Sequence, residues 1–275
     1  MSVGNTSVIH NTAIVENGAV IGNNVFVGPY CCIGKDVIIS DNVRLEPHVV
    51  IGENTKIGEG TVIYPFASIG QKPQDLKYNG EKARIEIGKN TVIREYVTVN
   101  IGTQGGGMLT KIGDDCLIMA YCHIAHDCII GNHVILVNGV NLSGHVTIDD
   151  YAIIGGMSPV KQFIRIGKHA MIGGFTGVDR DVIPYGVVRS DRITTLKGIN
   201  IIGLRRHGFS IDSIKSMINA YREIFEFEND MEQFTINLEK VEKDYRDDQY
   251  VSEIIGFIKS PAKNPICTTK PTDEE

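Results

Sequence analysis

Aliphatic residues recur at every sixth position through most of the first 178 residues of this chain. They fall in three runs, 3–69, 87–99 and 112–178, which together hold 27 positions, all of them Ile, Val or Leu. Neither the 3.6-residue period of an α-helix nor the alternation of an ordinary strand produces this spacing, whereas a solenoid with six-residue faces does. Three faces close a coil of 18 residues, so the pattern predicts a parallel β-helix of about nine coils, stacked about 4.8 Å apart.

A second column of residues supports this prediction. Four positions after each aliphatic anchor stands a small or β-branched residue, such as Ala19 or Val43. Such a side chain fits inside a tight corner of the coil. Gly often follows the anchor directly, as at Gly22 and Gly28, and we interpret it as relieving backbone strain where the chain bends.

The repeat is interrupted twice. Residues 71–84 break the pattern between two anchors, and residues 103–110 contain three consecutive glycines, Gly105 to Gly107. Loops that leave a rigid scaffold are where binding groups are usually placed. We therefore expect both insertions to contribute to a site.

The pattern ends after Val178, and a helical period begins near Phe209. Residues 180–200 are expected to be irregular. Ser210 can cap a first helix, and second and third helices are predicted over 231–245 and 249–258. The polar tail 261–275 is expected to be disordered. The sequence thus predicts two domains, a β-helix over 1–190 and an α-helical domain over 191–275 that packs against the prism or a neighbouring subunit.

Composition narrows the class of protein. The chain has 275 residues, 42% of them hydrophobic, no Trp and a formal net charge of −6. The acidic balance argues against a nucleic-acid partner. We expect a cytoplasmic protein, because the sequence has no apolar run long enough for a transmembrane segment and no signal-peptide pattern at its start. Four of the six cysteines occupy the small inward column, which predicts buried thiols instead of disulfides or a zinc cluster; these are Cys31, Cys116, Cys122 and Cys128.

Polar residues in phase with the 18-residue coil mark one candidate site. His126 follows the anchor Ile124 by two positions, and one and two coils later the same position holds Gly144 and Gln162. The neighbouring column pairs Asp127 with His145. The sequence therefore predicts that these side chains stack on one ridge, about 4.8 Å apart per coil.

This set has the groups that hydroxyl-to-acyl transfer needs. The imidazole of His126 can take a proton from an alcohol, and the carboxylate of Asp127 can fix its tautomer. The N–H of Gly144 can approach an oxyanion because no side chain intervenes. Spacing alone leaves the alternative open that His126 and His145 are solvated surface residues that happen to be in phase.

At these residues the chain resembles the UDP-N-acetylglucosamine O-acyltransferases that begin lipid A synthesis. The resemblance covers residues 1–260. The motifs that carry it are, in order, Gln74–Tyr78, Gln104–Gly107, His123–Cys128, Leu142–Val146, Ile154–Met157, Gly198–Asn200 and Gly203–Arg206.

The resemblance implies a homotrimer of left-handed parallel β-helices with active sites between adjacent prisms. It implies transfer of a (R)-3-hydroxyacyl group from acyl carrier protein to the 3-hydroxyl of UDP-N-acetylglucosamine, without a metal or free cofactor. His126 would be the general base, Asp127 would orient it, and the Gly144 amide would stabilise the oxyanion. The implied substrate-binding residues are Gln74, Asp75, Lys77, His123, His145, Gln162, Asn200 and Arg206, and the implied acyl-chain pocket includes Met171 and Gly174.

The chain departs from a well-known branch of this family at three positions. Lys161 and Arg192 stand where that branch has His, and Ile202 stands where it has Glu. These positions contact the donor or the uridine in the family, so the departures concern affinity and acyl length more than the type of reaction. The small residue Gly174 suggests a long acyl chain.

Four rival functions remain at this point. The later N-acyltransferase of the same pathway carries an N-terminal uridine-binding domain, for which a repeat that starts at Val3 leaves no room. A coenzyme A-dependent nucleotide-sugar acyltransferase would share the prism but not the Gln74–Tyr78 loop. A zinc carbonic anhydrase-like lyase would use His123, His126 and His145 as ligands. A non-catalytic scaffold predicts no phenotype for His126→Ala.

Overall fold

A computed structural model describes residues 2–190, 194–225 and 231–269 of the chain. Short parallel strands form the three flat sides of a triangular prism. We call these sides sheets A, B and C, and they contain nine, eleven and eight strands. Successive strands of the chain enter them in the repeating order A, B, C, and the last two strands of the chain extend sheet B. The molecule is thus a left-handed parallel β-helix followed by helices, as predicted.

The strands and helices have the following bounds. The first fifteen strands are β1 (Ser2–Val3), β2 (Val8–Ile9), β3 (Ile14–Val15), β4 (Val20–Ile21), β5 (Phe26–Val27), β6 (Cys32–Ile33), β7 (Ile38–Ile39), β8 (Arg44–Leu45), β9 (Val50–Ile51), β10 (Thr55–Ile57), β11 (Val62–Ile63), β12 (Ser68–Gln71), β13 (Arg84–Ile87), β14 (Val92–Ile93) and β15 (Thr98–Asn100). After a 3₁₀ turn (Gln104–Gly106) come β16 (Leu109–Ile112), β17 (Leu117–Ile118), β18 (His123–Ile124), β19 (Ile129–Ile130), β20 (Ile135–Leu136), β21 (Asn141–Leu142), β22 (Thr147–Ile148), β23 (Ile153–Ile154), β24 (Pro159–Val160), β25 (Arg165–Ile166), β26 (Met171–Ile172), β27 (Gly186–Ser190) and β28 (Thr194–Ile199). The helices are α1 (Ile201–Arg206), α2 (Ile211–Phe225), α3 (Met231–Asp244) and α4 (Gln249–Lys259).

The six-residue repeat accounts for the prism. Each strand from β1 to β26 contains one aliphatic anchor, and the last anchor, Val178, pairs with Val160 through an isolated bridge. The pairing of Ser2 with Val20 shows the 18-residue register that the sequence predicts. From Ile21 onward the anchors are buried. Their burial stabilises the stack, because each aliphatic side chain removed from water contributes about 2 kcal/mol.

The three corners of the prism have one backbone conformation. The third residue after nearly every anchor is left-handed, for example Asn24 (φ 53°), Tyr30 (φ 58°) and Asp36 (φ 57°). The glycines after the anchors are not at these bends, so our interpretation of Gly22 and Gly28 was wrong. A Cβ at Gly22 would lie 2.8 Å from the backbone N of Asp41 in the next coil. These glycines are needed for the close approach of successive coils.

Both insertions leave the prism at the same corner. We name the corners AB, BC and CA after the sheets that they join, and the segments 72–83 and 101–108 both connect sheet C to sheet A. The first insertion makes Ile57 pair with Ile87, thirty positions further on. The second makes Ile87 pair with Ile112. The hexad register resumes after each insertion, so both loops project from corner CA without disturbing the core.

The cysteines of the inward column are buried thiols, as predicted. Cys31, Cys116, Cys122 and Cys128 are all free and at most 2% exposed. Burial raises the pKa of Cys128 to about 12, and its Sγ donates to the carbonyl of Ser143 at 3.2 Å. Such a protonated thiol behaves as a small hydrophobic group.

The segment after the repeat is more regular than expected. Strands β27 and β28 form an antiparallel hairpin that continues sheet B, whereas the sequence predicted irregular structure over 180–200. An antiparallel pair follows a two-residue alternation, which a search for six-residue spacing does not detect. The short helix α1 was also missed. The three longer helices are confirmed, and Ser210 caps α2 by accepting from the Ser213 N–H at 3.0 Å.

The helices cover corner AB at the end of the prism. His207 and Phe209 contact the ring of His169 edge-on at 5.0 and 5.2 Å. The hydroxyl of Tyr185 donates to Glu253 of α4. No helix among the described residues is long and apolar enough to cross a membrane.

The tail expected to be disordered lies partly along the prism. The N–H of Asp181 donates to the Pro265 carbonyl, and the N–H of Cys267 donates to the Asp181 carbonyl, both at 2.8 Å. Cys267 is fully buried. The prediction of disorder is therefore wrong for this part of the tail, while residues 270–275 lie outside the described residues. The domain boundary at residue 190 stays a prediction.

Candidate active site

A buried His–Asp pair lies where β18 turns through corner CA. Nδ1 of His126 is 2.8 Å from Oδ2 of Asp127, and the two residues are 6% and 4% exposed. Asp127 also accepts from the Thr103 N–H at 2.9 Å and the Thr103 hydroxyl at 2.6 Å. Because a carboxylate only accepts hydrogen bonds, the proton of the neutral imidazole is held on Nδ1. The lone pair of Nε2 is then free to act as a base.

The second insertion holds the carboxylate of Asp127 in place. The backbone of Asp127 is left-handed (φ 60°), and its N–H donates to the Thr110 hydroxyl at 2.9 Å. A Cβ at Gly106 would lie 2.0 Å from the carboxyl carbon of Asp127. Glycine is therefore required there for the loop to close over the carboxylate. The first insertion is tied to the second, because the Gln104 N–H donates to Glu81 at 3.1 Å.

Gly144 stands directly against the imidazole of His126. A Cβ at this position would lie 2.6 Å from Nε2, so no other residue fits beside the ring in this position. The Gly144 carbonyl accepts from the Phe163 N–H, whereas its own N–H has no acceptor among the described residues. The predicted stacking of positions 126, 144 and 162 is confirmed by the pairing of His123 with Asn141 one coil on.

Two more imidazoles flank the pair, and burial keeps both neutral. The ring of His145 meets that of His126 edge-on at 5.0 Å. Nδ1 of His123 is 2.7 Å from the hydroxyl of Thr98. Burial lowers the pKa of His145; Asp127 opposes this shift, and His126 adds to it to a smaller extent. Burial and the nearby His126 together lower the pKa of His123. At neutral pH both rings are therefore hydrogen-bonding groups without charge.

An open cleft of about 960 Å³ on the outer face of sheet C, which we call the front cavity, is lined by His123 and His126. Gln74, Asp75 and Lys77 of the first insertion line one side of it, and Gln162 and Gly144 line the other. Oδ2 of Asp75 lies 3.9 Å from Nε2 of His126. A hydroxyl bound between these two atoms would contact both a potential base and a second acceptor. The front cavity is large enough for a substrate of nucleotide-sugar size.

Four residues that the resemblance implied do not reach the front cavity in a single chain. Asn200 caps α1 and donates to the carbonyl of His169 at corner AB, and Arg206 is exposed at the end of the same helix. Met171 lies on sheet B. Gly174 lies at corner BC, three coils beyond Tyr121, which lines the front cavity. Corner AB is opposite sheet C in a three-sided prism, so Asn200 and Arg206 can serve the site only from another copy.

Several residues at the site were not singled out by the sequence. Thr98 precedes the anchor Val99, so the repeat itself places it on the outer face of sheet C beside His123. Thr103 has no such signal, because its contact depends on how the insertion folds. Of the family departures, Lys161 and Ile202 are exposed, and Arg192 lies outside the described residues.

Three side chains of the site, those of His126, Asp127 and His145, form the one group among the described residues whose spacing could suit a metal ion. Ligand atoms of His126, Asp127 and His145 lie within 4.8 Å of one another. However, Oδ2 of Asp127 already accepts from Thr103 and His126. The arrangement is that of a hydrogen-bonded His–Asp pair.

A left-handed β-helix built of six-residue repeats, with a buried His–Asp pair beside a free glycine amide, defines a hexapeptide-repeat acyltransferase. Profile comparisons agree. Residues 33–65 and 109–144 match the bacterial transferase hexapeptide repeat, and residues 181–267 match the second domain of UDP N-acetylglucosamine O-acyltransferase.

Individual relatives extend this match. The chain is 54% identical over 156 residues to an acyl-[acyl-carrier-protein]–UDP-N-acetylglucosamine O-acyltransferase of Paracoccus denitrificans. The aligned segment is 57% of this chain and 59% of that protein, so this match spans about three fifths of the relative's length. It is 44% identical to the enzyme of the same name from Nautilia profundicola, over 71% of this chain and 74% of that protein. The chain belongs to the UDP-N-acetylglucosamine O-acyltransferase family.

Solved structures of UDP-N-acetylglucosamine acyltransferases have the same fold over nearly the whole chain. The structure from Bacteroides fragilis is 37% identical, with a TM-score of 0.89, and covers 94% of this chain and 99% of that one. The structure from Campylobacter jejuni is 34% identical, with a TM-score of 0.89, and covers 96% and 100%.

Proposed function

We propose that the protein transfers a (R)-3-hydroxyacyl group from acyl carrier protein to the 3-hydroxyl of UDP-N-acetylglucosamine, the first step of lipid A synthesis. The observation that carries the proposal is the His126–Asp127 pair, with Nε2 of His126 facing the front cavity and Gly144 beside it. Relatives named for this reaction at 44% and 54% identity support the choice of substrates.

The geometry suggests how each group would act. Nε2 of His126 takes the proton of the sugar 3-hydroxyl as its oxygen attacks the thioester carbon, and Asp127 stabilises the imidazolium that forms. The Gly144 N–H donates to the oxyanion of the tetrahedral intermediate. When the carbon–sulfur bond breaks, the proton on Nε2 passes to the departing thiolate of the carrier protein. Asp75 and His123 would orient the sugar. No metal or cofactor takes part.

A homotrimer would complete the site. Asn200, Arg206 and Met171 belong to the set that the resemblance implied, and they lie on the far side of the prism from the front cavity. A neighbouring copy that presents its corner AB and sheet B to sheet C would bring the two groups together. The exposed rings of corner BC, such as Tyr30 and Phe66, 57% and 47% exposed, supply apolar surface for such an association. The cytoplasmic location stays a prediction.

The transfer is tested with 3-hydroxyacyl groups of several lengths on acyl carrier protein and radiolabelled UDP-N-acetylglucosamine, comparing wild type with His126→Ala. We expect transfer by wild type and almost none by the variant, and the preferred length tests Gly174 as part of the acyl pocket. No transfer of any chain by folded wild-type protein would contradict the proposal. Coenzyme A thioesters and added Zn²⁺ with CO₂ hydration would then test the two rival functions.

The shared site is tested by mixing two inactive variants. His126→Ala removes a group of the front cavity, and Arg206→Ala removes one at corner AB. If each site is built from two copies, unfolding and refolding the mixture produces some sites that carry both native residues, and part of the activity returns. Mixtures that stay inactive would contradict a site shared between subunits.

A further inference from the structure

A second cavity opens beside the front cavity at corner CA. This rear cavity has a volume of about 510 Å³ and shares Asp75, Lys77 and Gln162 with the front cavity. It is also lined by His145 and Lys263. The two cavities therefore meet at the paired imidazoles of His126 and His145, where the reaction is proposed to occur.

The C-terminal strap, residues 261–268, forms one wall of the rear cavity. It is held by the backbone bonds between Asp181 and the 265–267 segment and by the Leu196 N–H, which donates to Thr268 at 2.8 Å. The side chain of Asn264 donates to the Gln162 carbonyl at 3.3 Å. These contacts fix the strap after Lys263, and the Ser260 hydroxyl, which accepts from Arg165, fixes the chain just before the strap. Lys263 itself is exposed.

Lys263 is placed as a binding group would be. Its ammonium lies 3.7 Å from the centre of the Phe163 ring, and that ring also stacks on His145 at 4.5 Å. A cation held on an aromatic face keeps N–H donors for a further partner. Within the described ranges neither Lys263 nor Lys77 has an ion-pair partner.

The carboxylates of the rear cavity do not pair directly with these two lysines. Glu81 accepts from the backbone N–H groups of Asn79 and Gln104, at 2.9 and 3.1 Å. Its own backbone N–H and these two bonds lower the pKa of Glu81, and the two bonds tie it to the insertions. Oδ1 of Asp75 accepts from the Lys77 N–H at 3.0 Å. Both carboxylates keep their charge but are held by backbone groups, so a ligand oxygen can reach the two ammonium groups without displacing an ion pair.

We propose that Lys263, together with Lys77, binds a phosphate group of a substrate in the rear cavity. The inference rests on the proposed function, in which both substrates carry phosphate: the acceptor has a diphosphate, and the donor has the phosphodiester of its pantetheine arm. Ammonium groups bind phosphate oxygens through charge-assisted hydrogen bonds. The strap is therefore part of the substrate site and not an inert tail.

Steady-state kinetics with each substrate varied in turn tests the proposal. Lys263→Gln replaces the ammonium with a polar, uncharged amide, Lys263→Arg keeps the charge, and Lys35→Gln removes an exposed cation from the far end of the prism. We expect Lys263→Gln to raise KM for one substrate about tenfold with kcat nearly unchanged, the signature of lost binding. Lys263→Arg and Lys35→Gln should stay close to wild type. A higher KM for UDP-N-acetylglucosamine identifies the diphosphate, and a higher KM for the acylated carrier protein identifies the pantetheine phosphate.

A binding measurement separates this inference from the reaction itself. Calorimetric titration of the full-length protein with UDP and with 4′-phosphopantetheine needs no turnover. Weaker binding of either ligand by Lys263→Gln supports the phosphate site even if wild type transfers no acyl group. The inference is overturned if wild type binds neither ligand, or if binding and both KM values are the same in Lys263→Gln. A lower kcat with both KM values unchanged would also overturn it, because that result indicates a structural role.

Discussion

Corners BC and CA of the prism have the same backbone and opposite chemistry. Tyr121 at corner BC and Asp127 at corner CA are both left-handed, with φ of 63° and 60°. At corner BC the coils stack five rings, Tyr30, His48, Phe66, Tyr96 and Tyr121, with centres 4.9 to 5.1 Å apart. At corner CA the corresponding column holds Asp127, His145 and Phe163.

The difference lies in what covers each corner. Tyr121 is 62% exposed, whereas Asp127 is 4% exposed because both insertions leave the prism at corner CA and close over it. Burial makes this carboxyl group useful, since hydrogen bonds to it are stronger where water is excluded. The repeat therefore sets the position of every side chain, and the interruptions of the repeat determine which position becomes a reactive one.

The difference between the two corners is tested most strongly by removing one histidine from each. His126→Ala at corner CA should lower kcat about a thousandfold, because it removes the general base that is proposed to take the hydroxyl proton. His48→Ala at corner BC is the matched control and should leave the transfer rate nearly unchanged. Both rates are measured in the acyl-transfer assay, with circular dichroism to confirm folding. Equal rates for the two variants would show that corner CA has no special chemistry.

A smaller but more specific effect is expected from Gly144→Ala. The added Cβ would lie 2.5 Å from Cε1 of His126, well inside van der Waals contact, so the ring must move. A displacement of about 1 Å lowers the rate about a hundredfold. Gly256→Ala in α4 is the control for the added methyl group, since its Cβ would meet no atom within 4 Å. If Gly144→Ala keeps full activity at normal stability, the imidazole is not held in the position that we describe.

The sequence predicted the prism well because the repeat records it residue by residue. An anchor every six positions fixes which side chain points inward, and the coil of 18 residues fixes which residues become neighbours. The stacking of His126 on Gly144 and the pairing of Asp127 with His145 followed from that arithmetic. The same arithmetic could have found Thr98 beside His123.

The remaining contacts could not be read from the sequence because they depend on segments that do not repeat. Thr103 reaches Asp127 only through the fold of an insertion with three glycines. Lys263 reaches Phe163 only because the tail, which looked disordered by composition, pairs with Asp181. The residues at corner AB show a further limit: the sequence grouped them with the site, but one chain keeps them apart.

The third corner provides a prediction about pH. At corner AB, burial lowers the pKa of His169 from 6.5 to about 4, helped by the nearby His207 and Lys168 and opposed by Glu253 and Asp150. The unfolded chain therefore takes up this proton at a higher pH than the folded protein. Stability should be full above pH 6.5 and should fall as the pH drops towards 4, with about 2 kcal/mol lost from His169 between pH 7.5 and 5.

Denaturant unfolding at both pH values measures this loss. His169→Phe keeps a ring in the stack but cannot titrate, so the difference in unfolding free energy between the two pH values should shrink by that amount. His133→Phe, on the exposed part of the same corner, should change it much less. An unchanged pH dependence in His169→Phe would show that this imidazole is not kept neutral by the fold.

The smallest effect is expected at corner BC. It shows whether the exposed rings only stabilise one chain by stacking or also join copies of the chain. Phe66 stacks on His48 and Tyr96 at 4.9 and 5.1 Å, and Phe66→Ser should cost about 1 kcal/mol of stacking within one chain. If the rings also join copies of the chain, the variant should dissociate at a higher protein concentration than wild type in analytical ultracentrifugation. Its activity per site should then fall on dilution, because Asn200 and Arg206 of a neighbour are lost with the contact. If only the unfolding free energy changes and association is unaffected, corner BC stiffens the prism, and the surface that joins the subunits lies elsewhere.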